Sequence, residues 1–188
     1  MMPFQYNIID NIKSFFLQRT ALSRLMLINI AIWIICLFIS VLLWLFNIGD
    51  ISFITNMFAV PSDLRSLALK PWTIITYMFL QEEFWHLFFN MFALWMFGRQ
   101  LEYELGSQRF FTYYMVCGVG AALLQLGVGY AEYEHALAAG GMQSAMQLLY
   151  VPTVGASGAV FGLLLAFGVL HPNNVIMLMF PPVALKAK

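Results

Sequence analysis

The chain has 188 residues, 62% of them hydrophobic and only 10% charged, and its formal net charge is zero. A soluble domain carries about 25% charged residues, so the composition, with a mean hydropathy of +0.80, excludes a soluble enzyme and predicts an integral membrane protein. A neutral chain offers no footprint for nucleic acid, and its two cysteines, Cys36 and Cys117, lie in apolar stretches as small buried thiols rather than a disulfide framework or a metal site.

In chain order, Phe4, Ile8, Ile12 and Phe16 recur one turn apart, which predicts a short amphipathic helix on the membrane surface. Residues 1–20 are therefore expected to form a cytoplasmic or interfacial segment, and 21–188 a membrane domain. The first apolar run is too long for a signal peptide and predicts a span over residues 22–46. Residues 47–83 hold Asp50, Pro61, Asp63, Arg65, Lys70 and Pro71 among many apolar side chains. A connection that long and apolar is expected to pack into the interface. The second span should start after Glu82 and Glu83 and reach about Phe97, and the third covers roughly 110–130. Residues 131–154 read as a loop, 157–170 as the last span, and the rest as "HPNN" with an apolar tail. Seven basic residues, among them Lys13, Arg19, Arg24, Arg99 and Arg109, fall on one side of these spans and two, Arg65 and Lys70, on the other. The basic side is cytoplasmic, with the N-terminus inside.

Two spans carry polar residues that lipid would penalise. His86 and Asn90 are four apart and share a helix face; counted from Glu83, they lie roughly 4.5 and 10.5 Å below the outer boundary. Either could serve interhelical packing alone, but a pair on one face points to function. In "TVGASGAVFGLLLAF", residues 153–167, Ser157 heads an apolar helix of roughly 21 Å, too short for a hydrocarbon core of about 30 Å. Its start therefore falls roughly 9 Å below the outer surface, at the level of Asn90. The chain before it must descend without helix, which is tolerated where backbone lines a wet cavity or is buried in protein. The helix start also turns free N–H groups toward the site, where an oxyanion could bind. Gly158 and Gly162 form a small-xxx-small packing ridge, which would hold the serine rigidly. No H-E-x-x-H motif occurs, and Asp10, Asp50 and Asp63 lie outside the spans, so zinc and aspartyl protease chemistries are excluded.

These residues resemble the rhomboid family of intramembrane serine proteases, in the variants common among Bacteroidetes-type bacteria. The likeness rests on "GASGAVFG", on His86-xxx-Asn90, on "KPWTIITYMFLQEEFWHLFFNM" and on "LWMFGRQLEYELGSQRFFTYYM". It implies an all-α polytopic helical bundle with four transmembrane helices present of an expected six, in a bacterial inner membrane. It further implies Ser157 as nucleophile, with His86, Asn90 and the Ser157 N–H binding the oxyanion, no cofactor and no metal. The partners implied are transmembrane protein substrates and the lipid bilayer. The family's base is a histidine on its sixth helix, which would lie beyond Lys188, and a histidine often stands where this chain has Gln81. His171 is a helix length from Ser157 and His135 falls in the predicted loop, so the 188-residue chain alone is expected to be inactive. A non-catalytic relative that binds transmembrane segments is the alternative, and a small transport or structural protein a third.

Overall fold

The computed structural model describes residues 8–148, 151–173, 175–179 and 182–186. Helix α1 (Ile8–Leu17) precedes the long α2 (Ala21–Leu45); α3 (Ser52–Phe58), α4 (Leu64–Leu69) and α5 (Thr73–Thr76) then lead through a 3-10 turn, Tyr77–Phe79, to α6 (Phe84–Leu105). Helix α7 (Ser107–Ala138), the short α8 (Met142–Leu148) and α9 (Ser157–Leu170) follow, and strands β1 (Val175–Met179) and β2 (Pro182–Lys186) close the order. Helices α2 and α7 are long and apolar enough to cross a membrane, and α9 is apolar but shorter. Residues 4–7 of the expected surface helix lie outside the described residues; the remainder is α1.

The core follows from helical periodicity. On α7 the buried positions are Phe110, Tyr114, Gly118, Ala122 and Leu126, one every fourth residue, which keeps a single stripe facing inward. The matching stripe on α6 is Leu87, Asn90, Met91, Leu94, Phe97, Gly98 and Leu101. The opposite face of α6 carries Phe84, Trp85, Phe88 and Phe89, all exposed and in ring contact along the helix. Such an outward apolar face is stable in lipid and would be costly in water. Helix α9 packs between α6 and α7. There a Cβ on Gly158 would stand 2.4 Å from the Ala121 Cβ, and one on Gly162 would stand 2.4 Å from the Cys117 Sγ. The predicted small-residue ridge is thus the seam between α7 and α9.

Helix boundaries depart from expectation where polar residues follow an apolar run. Helix α6 continues past Phe97 to Leu105, stopping at Gly106, whose φ of +78° only glycine adopts without strain. Residues 131–138, expected as loop, extend α7, and α8 occupies much of the remaining connection. His135 therefore sits in the last turn of α7 rather than in a loop. The stretch Tyr130–Ala139 holds neither glycine nor proline, so the loss of apolarity does not end the helix; Gly140, at φ +78°, follows its C-cap. Residues 175–179 and 182–186, expected within an apolar tail, pair as antiparallel strands with Val175 opposite Lys186.

The connection between α2 and α6 is folded into short helices. The last turn of α3 leaves carbonyls without helical partners, and three later side chains take them up: Lys70 Nζ donates to Asn56 O at 2.8 Å, Trp72 Nε1 to Met57 O at 2.9 Å and Thr76 Oγ1 to Phe58 O at 2.7 Å. Asp63 caps α4 by accepting from the Ser66 N–H at 2.8 Å, and the Ser66 side chain together with that N–H holds its carboxyl below the usual aspartate range. At the start of α2 the free N–H groups of Ala21 and Leu22 are taken by the Glu102 carboxylate of α6, at 2.7 and 3.3 Å.

Candidate active site

Ser157 is the first residue of α9, as the sequence predicts, and the chain approaches it through a short extended stretch. That stretch is tied to the α2–α6 connection at three places. Val60 and Thr153 exchange both backbone hydrogen bonds, at 3.0 and 2.9 Å; the Ser62 hydroxyl donates to the Val151 carbonyl; and the Gly155 N–H donates to the Tyr77 carbonyl at 2.9 Å. Gly155 has φ +113° and is buried, so the turn before the serine requires a residue without a Cβ.

The space left by that missing side chain is occupied by His86. A Cβ at position 155 would stand 2.6 Å from the His86 Cε1, 2.7 Å from its Nε2 and 3.7 Å from the Ser157 Oγ. Imidazole and hydroxyl therefore border one small volume, although no hydrogen bond of ordinary geometry joins them among the described residues. The first N–H groups of α9 lack intrahelical acceptors by geometry, and the first bond of the helix is the one Val160 donates to Ala156. Asn90, one turn beyond His86 on α6, is 7% exposed, while His86 and Ser157 are half-buried. The three sequence-predicted residues thus stand on α6 and α9, whose packing fixes their spacing.

The other two histidines are elsewhere. His171, at the far end of α9, has its Nε2 3.0 Å from the Glu104 carboxylate, though without hydrogen-bond alignment, and its ring lies against Phe167. His135 belongs to the far part of α7. No cluster of metal-ligating side chains occurs among the described residues.

Two polar residues escaped the sequence reading. Gln81, noted only as a variation, and Asn29, the sole amide in α2, are 7% and 0% exposed. The Asn90 side-chain nitrogen donates to Gln81 Oε1 at 2.9 Å, and the Gln81 nitrogen donates to Asn29 Oδ1 at 3.1 Å. The available signal was an amide inside an otherwise apolar span.

Residues 68–187 match the family described as the Rhomboid domain. Rhomboid protein 1, mitochondrial, of Saccharomyces cerevisiae is 38% identical over 111 residues, covering 59% of this chain and 28% of that protein. The RHOMBOID-like protein 6, mitochondrial, of Arabidopsis thaliana is 33% identical over 95 residues, 50% of this chain and 25% of that protein. YdcA of Bacillus subtilis, named as a candidate rhomboid protease, is 32% identical over 107 residues, 56% of this chain and 45% of that protein. The chain thus spans between a quarter and a half of the length of these curated relatives. No solved structure matches it. With the matched region covering Gln81, His86, Asn90 and Ser157, this chain belongs to the Rhomboid family, a family of integral membrane proteins that are generally intramembrane serine proteases.

Proposed function

We propose that the protein is an intramembrane serine endopeptidase that cleaves peptide bonds in or beside the transmembrane segments of other membrane proteins. The observation that carries this is the His86 imidazole in the side-chain space of Gly155, beside the Ser157 hydroxyl and one turn from the Asn90 amide. The Ser157 Oγ attacks the scissile carbonyl carbon while its proton passes to a base. The oxyanion that forms accepts hydrogen bonds from the Ser157 N–H, the Asn90 amide and His86. Collapse expels the amine, which takes up the proton, and water then hydrolyses the serine ester.

The base is assigned to a histidine outside residues 1–188. Within them His171 faces Glu104, His135 is on the far part of α7, and His86 donates to the oxyanion. Helices α2, α6, α7 and α9 are the four spans of this proposal, with residues 21–188 as the membrane domain. The bias of basic residues supports a cytoplasmic N-terminus; a bacterial inner membrane is part of the same proposal.

The test is cleavage of a single-span substrate by protein expressed from the whole reading frame. Asn90→Ala should lower kcat by about 10²–10³ and change KM far less, because the charge develops only in the transition state. Ser157→Ala should abolish turnover. Residues 1–188 alone should cleave nothing; Ser157-dependent cleavage by that segment would make His86 or His135 the base. Substrate binding with no cleavage by the whole protein would favour the non-catalytic alternative.

A further inference from the structure

Asn29, Gln81 and Asn90 form a single file of amides running from α2 into the candidate site. The Asn29 nitrogen donates to the Leu25 carbonyl at 2.9 Å, the Gln81 nitrogen to the Asn29 oxygen at 3.1 Å, and the Asn90 nitrogen to the Gln81 oxygen at 2.9 Å. All three are buried. The wholly buried Tyr114 phenol of α7 also adjoins Asn29, without a hydrogen bond of ordinary geometry.

The file has a fixed polarity, and its origin is a backbone group. A carbonyl can only accept, so Asn29 must turn its NH2 to Leu25 and its oxygen toward Gln81. Gln81 must then present its NH2 to Asn29 and its oxygen to Asn90. Asn90 in turn must present its NH2, which leaves one N–H to donate elsewhere. Turning the Asn90 amide over would set oxygen against oxygen in a buried place and leave both unpaired away from water, which is unfavourable. An amide can meet an oxyanion with either end, and only the nitrogen end stabilises it.

We propose that Asn29 and Gln81 are positioning residues that fix the flip of the Asn90 amide, so that a carbonyl of α2 determines which end of Asn90 meets the developing oxyanion. This rests on the assignment of Asn90 as an oxyanion donor. Neither Asn29 nor Gln81 touches substrate; both act through Asn90.

The test follows the Asn90 side-chain NH2 by 15N NMR, in the chain labelled at asparagine side chains and held in lipid nanodiscs. The signal is identified by its loss in Asn90→Ala. Asn29→Leu, two hydrogen bonds away on another helix, should shift that signal and speed its proton exchange. Gln81→Met, which keeps much of the volume but neither hydrogen bond, should do the same. Gln81→His should not, because a neutral imidazole keeps one donor and one acceptor. In protein from the whole reading frame, Asn29→Leu and Gln81→Met should lower kcat at unchanged KM, by less than the roughly 10²–10³ of losing the donor itself, and Gln81→His should restore it. An Asn90 signal that ignores both Asn29→Leu and Gln81→Met overturns the relay. A signal that responds while Asn90→Ala leaves kcat unchanged overturns instead the oxyanion assignment, and the positioning role with it. Should Asn29→Leu fail to fold, the Gln81 pair of variants carries the same decision.

Discussion

Helices α9 and α2 both border the core, but they are held by opposite means. Helix α9 lies against α7 through near backbone contact, at Gly158 on Ala121 and Gly162 on Cys117, with little side-chain adaptability in between. Helix α2 is held at its inner end by polar ties, the Glu102 carboxylate on its first N–H groups and Asn29 on Gln81. Its buried positions stop at Asn29. Beyond that point Ile35, Phe38 and Trp44 are exposed, and an apolar groove of about 350 Å³ separates α2 from α3 and the turn after α5. The serine is carried by the helix seated by near backbone contact, whereas the helix whose outer half is exposed contributes only the far end of a hydrogen-bonded file. Rigid positioning of the reacting group is what a hydrolase requires.

The largest break of this contrast should come from Gly155→Ala. The new Cβ would meet His86 at 2.6 Å in a backbone conformation with φ +113°; strain of that kind costs about 1–3 kcal/mol, and the imidazole must leave its place. Activity should fall to the level of His86→Ala, with a lowered unfolding midpoint in detergent. Next comes the seam. Gly158→Ala presses on the Ala121 Cβ at 2.4 Å, which cannot move without its helix, and overpacking of this kind costs about 1–3 kcal/mol. Gly118→Ala makes a shorter contact, 2.1 Å, but with the end of the Met78 side chain, which can swing aside. Gly158→Ala should therefore be the more destabilising of the two in paired thermal melts; the reverse order would mean that the seam is not rigid.

Breaking the polar attachment of α2 should cost somewhat less at the site. Glu102→Ala leaves two helix N–H groups uncapped and should destabilise by about 1–2 kcal/mol. Glu102→Gln, which keeps a carbonyl acceptor, should recover part of that, and Ser157 reactivity should hardly change in either. The smallest effect belongs to the α4 cap. Because the Ser66 hydrogen bonds hold the Asp63 carboxyl below its usual range, its contribution is complete above the unfolded value of about 3.9. It fades as pH falls through the lower folded value. Asp63→Ala should thus lower the melting temperature slightly at pH 7 and progressively less in acid, whereas an effect growing in acid would contradict the cap.

The same division separates what was legible from what was not. Helices α2 and α9 could be bounded to within a residue because apolarity ends where they end. Helices α6 and α7 could not, since Arg99, Glu102, Glu132 and Glu134 leave the apolar band while the helices continue to Gly106 and Ala138. Ser157, His86 and Asn90 stand out in the sequence as candidates because each is a polar residue in an apolar stretch. Asn29 and Gln81 were not, because their importance lies in one another across 52 residues of sequence, and no local period encodes such a pair. The importance of Gly155 was hidden for a different reason: glycine is common in turns, and only its φ and the imidazole above it show why nothing larger fits.

On the proposed function, Ser157 is an accessible, activated nucleophile in a wet recess beside His86. It is tested most directly by fluorophosphonate labelling of the protein from its whole reading frame in nanodiscs, with the modified residue located by peptide mass spectrometry. One adduct is expected, on Ser157, absent from Ser157→Ala and from residues 1–188 alone. A folded whole protein that takes up no label at Ser157, or takes it up equally in Gly155→Ala, would contradict it.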